Sequence, residues 1–235
     1  MHTWPTRRPS PSPGALLGGR PDRWLWLLPA ALGLAITLLI MIVLPPDRTL
    51  HGVGDFALKT SPLLLAVITI ALFPREGGRT FWLLPLGFVF YLGYVDSASF
   101  VHVSALIDAA VAQQGGNQFP SYYRWAIFVN AFTVLFPLLA FRLGGASTAG
   151  TLKLGGAGVL LLLSGLNDLT MWAMYPWPEG RPDVFDWASH VSIFIGHAPR
   201  LPEMVAFLAV HLGLAGLILA APLERWLRAT AFADR

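Results

Sequence analysis

The sequence is dominated by long apolar runs, each bounded by charged residues, proline or glycine. A bilayer core about 30 Å thick requires roughly 20 apolar residues in an α-helix, and six runs reach that length. The predicted spans are Trp24–Leu44, Val53–Phe73, Thr80–Phe100, Tyr122–Phe141, Leu152–Met174 and Met204–Leu223. The pattern therefore predicts an all-α polytopic membrane protein with six transmembrane helices.

The segments outside the predicted spans are short and polar. Residues 1–23 contain a stretch rich in proline, serine and glycine, which is typical of a disordered tail. We predict that this tail is followed by a six-helix membrane domain at 24–223 and by a second short tail at 224–235. The chain leaves no room for a further folded domain.

The positions of lysine and arginine indicate how the chain crosses the bilayer, because cytoplasmic loops carry an excess of these residues. With the N-terminus inside, 11 of the 16 basic residues are cytoplasmic: Arg7, Arg8, Arg20, Arg23, Arg75, Arg79, Arg142, Lys153, Arg225, Arg228 and Arg235. The other five, with nine of the 13 acidic residues, fall on the opposite side. We therefore predict a plasma or inner membrane protein with both termini in the cytoplasm.

Composition supports this interpretation and excludes several kinds of function. Hydrophobic residues make up 55% of the chain and charged residues only 12%, about half of the roughly 25% usual in soluble domains. The absence of cysteine excludes disulfides, thiolate metal sites and cysteine nucleophiles. The pI is about 9.6, but the basic residues lie at span ends, so the expected partner is a lipid bilayer and not nucleic acid.

Two carboxylates fall inside predicted spans, where ionisable groups are costly and are candidates for function. Asp96 and Asp168 each lie 16 residues beyond the inner end of their span (80 to 96, and 152 to 168), or about 24 Å at the helical rise. Both are therefore expected in one layer near the outer face. Ser164, Asp168 and Trp172 have a spacing of four, which predicts one polar stripe on the fifth helix.

The loop between the fifth and sixth spans, residues 175–203, is rich in aromatic, histidine and aspartate residues. From Asp183 to Gly196 the pattern predicts a short amphipathic helix in this extracytoplasmic loop, with Asp183 or Asp186 as its N-cap. A spacing of seven would place His190 and His197 on one face. The aromatic residues would seat this helix at the membrane interface, across the outer mouth of the bundle.

These residues suggest a metal site built from His102, His190 and His197 together with Asp96 or Asp168. Imidazole and carboxylate ligands suit zinc, copper or iron. The alternatives are that the same groups only form hydrogen bonds between helices, or that Asp168 and Asp96 act as catalytic acids and bases or as proton carriers. No closely spaced ligand motif decides among them.

Glycines at positions 155, 156 and 158 fall within the fifth predicted span. They lack the preceding strand and the downstream acid of a nucleotide-binding motif. Small residues in a membrane helix are more typical of close helix packing, which we predict here.

Three functions are compatible with these features. The first is a ligand-binding or accessory subunit of an envelope membrane complex, which would hold a lipid-like ligand or another membrane subunit at a polar outer pocket. The second is a metal-dependent enzyme that acts on a lipid or apolar substrate from the outer leaflet. The third is a small proton- or ion-coupled transporter. The first is favoured, because no ligand spacing requires catalysis.

Overall fold

The fold is all-α in a computed structural model that describes residues 24–44, 50–74, 80, 82–111, 119–177 and 180–227. The helices in chain order are α1 (Leu27–Leu38), α2 (Val53–Leu72), α3 (Leu83–Phe90), α4 (Asp96–Val111), α5 (Phe119–Leu143), α6 (Thr148–Leu163), α7 (Leu166–Met174), α8 (Ser189–Ile195), α9 (Leu201–Ala220) and α10 (Leu223–Leu227). A π-helical segment, Leu39–Val43, extends α1, and another, Tyr91–Val95, joins α3 to α4. The predicted tail at 1–23 lies outside the described residues.

Four helical segments are long and apolar enough to cross a membrane: Val53–Leu72, Leu83–Leu106, Trp125–Leu143 and Leu201–Ala220. A fifth is obtained if α6 and α7, which meet at a bend of 43°, together form one span. The remaining predicted span, the first in the chain, is a shorter apolar helix over Leu27–Val43. Within the described residues the structure therefore has four or five candidate spans, and the predicted total of six is not shown.

The candidate spans expose most of their apolar surface. Only 6% to 17% of the residues in their apolar stretches are buried within the protein. Side chains such as Val89, Phe100 and Leu217 are more than two-thirds exposed. Soluble monomers rarely expose large contiguous apolar surfaces, whereas a lipid-facing surface is apolar throughout. The chain is an integral membrane protein.

Helix α6 is central, since it packs against α2, α5 and α9. Its glycines make this possible. A Cβ atom at Gly155 would overlap Val67 of α2 and Leu138 of α5, and one at Gly158 would lie 2.9 Å from Val134 Cγ1. The predicted role of these glycines in close helix packing is confirmed.

Aromatic contacts attach the third span to the bundle. Phe88 and Phe136 meet edge to face at 5.2 Å between centroids, and Tyr91 stacks on Phe132 at 5.6 Å. The helix continues through α4 to Val111, well beyond the predicted end at Phe100.

A buried arginine fixes one end of α6. Arg142, fully buried near the end of α5, donates from Nε to the Phe73 carbonyl at 2.8 Å and from Nη1 to the Ala146 carbonyl at 2.7 Å. Phe73 follows the last residue of α2, so its carbonyl lacks a partner in that helix. One side chain therefore closes the end of α2 and the turn between α5 and α6.

The other end of α6 is a break in the predicted fifth span. Gly165 has φ +75°, in the left-handed region, so α6 ends at Leu163 and α7 begins at Leu166. The fully buried Ser164 hydroxyl donates to the Leu161 carbonyl at 2.7 Å and accepts from the Leu166 amide at 3.2 Å. The predicted continuous stripe of Ser164, Asp168 and Trp172 is therefore wrong, because the serine lies before the bend.

Candidate functional site

Residues 180–200, here called the lid, form a closed loop over the bend. The Phe185 amide donates to the Pro199 carbonyl at 2.8 Å, and Val184 pairs with Arg200 in an isolated antiparallel bridge. These contacts join the two ends of the lid, so that α8 lies between them.

The lid packs against α7 and α9 through a small apolar core. Phe185, Ala188 and Val191 of the lid and Met204 of α9 are fully buried together. The partly buried residues around this core are Leu169, Trp172, Trp187, Ile195, Leu201 and Phe207. The lid is therefore part of the folded unit, and its aromatic residues face inward as well as outward.

The lid helix is shorter than its sequence predicted. It begins at Ser189 after Ala188, so Asp183 and Asp186 are not its N-cap. The bridge to Arg200 and the burial of Phe185 hold the preceding residues in an irregular path. The predicted end is confirmed, since Gly196 follows the last turn with φ +85°.

This helix places His190 and His197 differently from the prediction. His190 lies in the first turn of α8, while His197 lies beyond its end and so does not share its face. His197 Nε2 is 3.4 Å from Glu203 Oε1 at the start of α9. Glu203 also accepts from the Arg200 amide at 2.7 Å, which begins α9 at Leu201, three residues before the predicted start.

The centre of the site is a pair formed by Asp168 and His190. Asp168 lies in the first turn of α7, just after the bend, where the helix dipole favours a negative charge. His190 Nε2 lies 3.7 Å from Asp168 Oδ2, and the two side chains are only 20% and 17% exposed, respectively. A broken membrane helix and a lid helix thus bring one carboxylate and one imidazole together.

Trp187 completes this group. Its indole N–H is buried and directed towards the Asp168 carboxylate, but it meets no acceptor at hydrogen-bond geometry within the described residues. Two neighbouring indoles differ, since Trp172 donates to the Pro182 carbonyl and Trp177 to the Trp172 carbonyl, both at 2.9 Å. The ring of Trp187 stacks on Trp177 at 5.7 Å. Trp187 is therefore held in place by packing, with its N–H directed towards the Asp168 carboxylate.

The other side of His190 faces α9. The Phe207 ring lies between two imidazoles, 6.1 Å from His190 and 4.2 Å from His211 between centroids. His211 Nδ1 lies 2.9 Å from the Phe207 carbonyl and donates to it. Burial lowers the pKa of His190, and His211 acts in the same direction, while the Asp168 carboxylate opposes both.

The bend and the lid fit each other closely. A Cβ atom at Gly165 would lie 3.0 Å from Met204 Cε, 3.8 Å from His190 Nε2 and 4.0 Å from Val191 Cγ2. The left-handed glycine therefore turns the chain and also leaves room for the lid.

The remaining predicted site residues lie elsewhere. Asp96 is exposed at the start of α4, and His102 stacks on Trp125 at 5.3 Å. Across the ranges that the structure describes, no three or more His, Asp and Glu side chains converge as a metal site would require. The predicted zinc, copper or iron site is therefore not supported, and only Asp168 and His190 are brought together.

Comparison with protein-family models, with curated proteins and with solved structures finds no match to this chain. The function must therefore be argued from the site itself.

The sequence interpretation missed three contributors to this site. Trp187 was interpreted as an interfacial anchor, and neither His211 nor Gly165 was assigned to this site. The adjacent Ser164 and Gly165 carried a usable signal, because a serine followed by glycine in an apolar run is a local helix stop.

Proposed function

We propose that this protein is a ligand-binding or accessory subunit of an envelope membrane complex. In this proposal, Asp168, His190 and Trp187 recognise a polar group of a lipid-like ligand or of a neighbouring subunit. The aromatic side chains of the lid and α9 surround the rest of that group. The lid would face the extracytoplasmic side, as the distribution of basic residues predicts.

The observation that carries this proposal is the set of incomplete hydrogen bonds beneath the lid. Buried polar groups in proteins normally have partners. Among the described residues, the indole N–H of Trp187 points towards the Asp168 carboxylate but meets no acceptor at hydrogen-bond geometry. His190 Nε2 lies 3.7 Å from Asp168 Oδ2, beyond hydrogen-bond distance. The Asp168 carboxylate and the His190 imidazole can accept hydrogen bonds, and the Trp187 N–H can donate one. Together they would complement a hydroxyl or a similar group of a ligand.

Binding is favoured over catalysis by the side chains present. The Ser164 hydroxyl is the nucleophile nearest to the bend, but both of its hydrogen bonds are to the backbone of the break. Asp168 and His190 could support acid–base chemistry, yet no third group orients the imidazole among the described residues. The pair is better suited to recognition.

Proton transfer is a second candidate, and the 3.7 Å separation of His190 and Asp168 favours it. An imidazole and a carboxylate at this distance can exchange a proton directly after a shift of about 1 Å brings them to hydrogen-bond distance. In liposomes, Asp168→Asn would then abolish proton-coupled uptake. Uptake at the wild-type rate in this variant would exclude Asp168 as a carrier.

Native mass spectrometry of protein extracted from its own membrane in mild detergent tests the binding proposal. The wild-type protein is expected to retain a small-molecule or subunit adduct. Trp187→Phe should lower the occupancy of this adduct at least tenfold, since the substitution removes the indole N–H and keeps an aromatic ring. Asp168→Asn should lose it as well.

Trp177→Phe is the matched control, because it makes the same truncation in the stacked partner whose N–H is already bonded internally. This variant is expected to keep the adduct. Equal occupancy in Trp187→Phe and wild type, or an adduct-free wild-type protein, would overturn the proposal.

A further inference from the structure

Because of the position of His190, the contact of the lid with α7 and α9 depends on the charge of this side chain. This side chain projects from the first turn of α8 into the interface with α7 and α9, beside Gly165 and Phe207. It is the only imidazole among the described residues of the lid that is mostly buried, since His197 is exposed next to Glu203. Any change in the charge of His190 therefore occurs within the interface between the lid and helices α7 and α9.

Few charges can compensate a proton on His190. Among the described residues, the titratable groups that act on it are Asp168 from α7 and His211 from α9. Helix α2 also touches the lid, through Phe56 and Phe194 at 5.4 Å. Its charged residues Asp55 and Lys59 pair with each other at 2.9 Å. Glu203 of α9 is engaged by His197 and the Arg200 amide.

We propose that the lid is an acid-sensitive gate over this site, and that protonation of His190 releases it from α7 and α9. The inference rests on the proposed function, because it describes how access to the proposed binding site is regulated. The released lid exposes Asp168 and the Trp187 N–H to the lid side of the membrane.

The direction of the pH effect on docking depends on how the pKa of His190 differs between the docked and the released lid. In the docked lid, His190 loses most of its hydration, and the nearby His211 also disfavours a positive charge on it. The Asp168 carboxylate at 3.7 Å compensates only in part, so the pKa of docked His190 lies below its usual value. In the released lid the imidazole is hydrated and its pKa returns to about 6.5. Protons therefore bind the released state more strongly, and acid favours release.

The size of the effect follows from proton linkage. One group that is protonated on release shifts the equilibrium by about tenfold per pH unit between its two pKa values. Docking is thus unaffected above about pH 7. It weakens progressively as the pH falls below about 6.5.

Hydrogen–deuterium exchange of the protein in lipid nanodiscs measures this equilibrium directly. The reporting amides are those of Phe185, Val191, Ser192 and Gly196, which donate to carbonyls within the lid. After correction for intrinsic exchange, their protection is expected to fall about fivefold between pH 6.5 and pH 5.5, because His190 of the released lid is already half protonated at pH 6.5. Amides in the middle of α6 should keep their protection over the same range.

Two variants and one control assign the effect to His190. His190→Gln should abolish the acid-induced loss, since glutamine remains neutral. Asp168→Asn should extend the loss to lower pH, because the docked imidazole no longer has a compensating carboxylate. His197→Gln, the same change at the exposed lid histidine, should behave like wild type.

Unchanged protection at pH 5.5, or the same loss in His190→Gln as in wild type, would overturn the inference. The adduct measured at pH 7.5 by native mass spectrometry separates it from the proposed function. Acid release without any adduct would support the gate and contradict the binding role. An adduct in the wild-type protein, together with lid protection that does not change with pH, would support the binding role and contradict the gate.

Discussion

The two ends of α6 use buried polar groups in opposite ways. At one end, Arg142 donates to the carbonyls of Phe73 and Ala146 and so completes the backbone of α2 and of the α5–α6 turn. At the other end, Asp168 and His190 lie 3.7 Å apart, and the Trp187 N–H meets no acceptor at hydrogen-bond geometry among the described residues. The first arrangement stabilises the bundle. The second is the site that we propose to bind a ligand or a neighbouring subunit.

This contrast predicts that the largest loss of stability comes from the Arg142 end. Arg142→Met should lower the free energy of unfolding by about 3 kcal/mol, because two charge-assisted hydrogen bonds disappear and their carbonyls stay buried. Unfolding in mixed detergent and SDS micelles measures this. Arg225→Met, at an exposed position, should change stability by no more than about 0.5 kcal/mol. Equal losses in the two variants would break the comparison.

The bend should be the next most sensitive point. Gly165→Ala is expected to lower the free energy of unfolding by about 1–2 kcal/mol, because an alanine is strained at φ +75°. It also crowds Met204. Gly213→Ala, inside α9 with open space around it, should instead raise stability by about 0.5–1 kcal/mol. A gain in stability for both alanines would show that the bend is not built around Gly165.

The stacked indoles of Trp187, in the lid, and Trp177, which precedes it, give a smaller and sharper contrast. Trp177→Phe should lower the free energy of unfolding by about 1 kcal/mol more than Trp187→Phe, since only Trp177 loses an internal hydrogen bond. The same unfolding assay in ligand-free detergent applies. A larger loss in Trp187→Phe would mean that its N–H has a structural partner.

The smallest effect is expected from the ion pair at the Arg142 end of α6. Lys153 Nζ lies 3.4 Å from Glu224 Oε1 of α10, and the glutamate is 44% exposed. Lys153→Met should lower the free energy of unfolding by less than about 1 kcal/mol, and salt should reduce the difference further. A large loss that salt does not alter would place this pair among the buried polar contacts that fix the bundle.

Much of the membrane architecture was predictable from the sequence. Apolar runs predicted each helix that the structure shows as a candidate span, because the length needed to cross lipid is a simple constraint. The glycines of α6 were also predictable, since small residues in an apolar helix allow close contact. Helix ends were less so. Arg200 and Glu203 begin α9 through a capping arrangement, and the sequence interpretation placed that start three residues late.

The site could be predicted only in part. Asp168 and His190 were both candidates, but their meeting depends on the bend at Gly165 and on the path of the lid between Val184 and Arg200. A periodic pattern assumes a continuous helix and contains no information about such a bend. The role of the Trp187 N–H also depends on tertiary packing, which decides which of several indoles finds an acceptor.

The most direct test of the polar group beneath the lid is the indole resonance of Trp187. In ¹⁵N-labelled protein freed of ligand, the missing signal in Trp187→Phe assigns it among the nine tryptophans. We predict a proton shift typical of an unbonded indole N–H, distinct from that of Trp177, and a downfield move when the membrane extract is added back. A Trp187 proton that is already hydrogen-bonded without ligand, and does not respond to the extract, would contradict the proposed site.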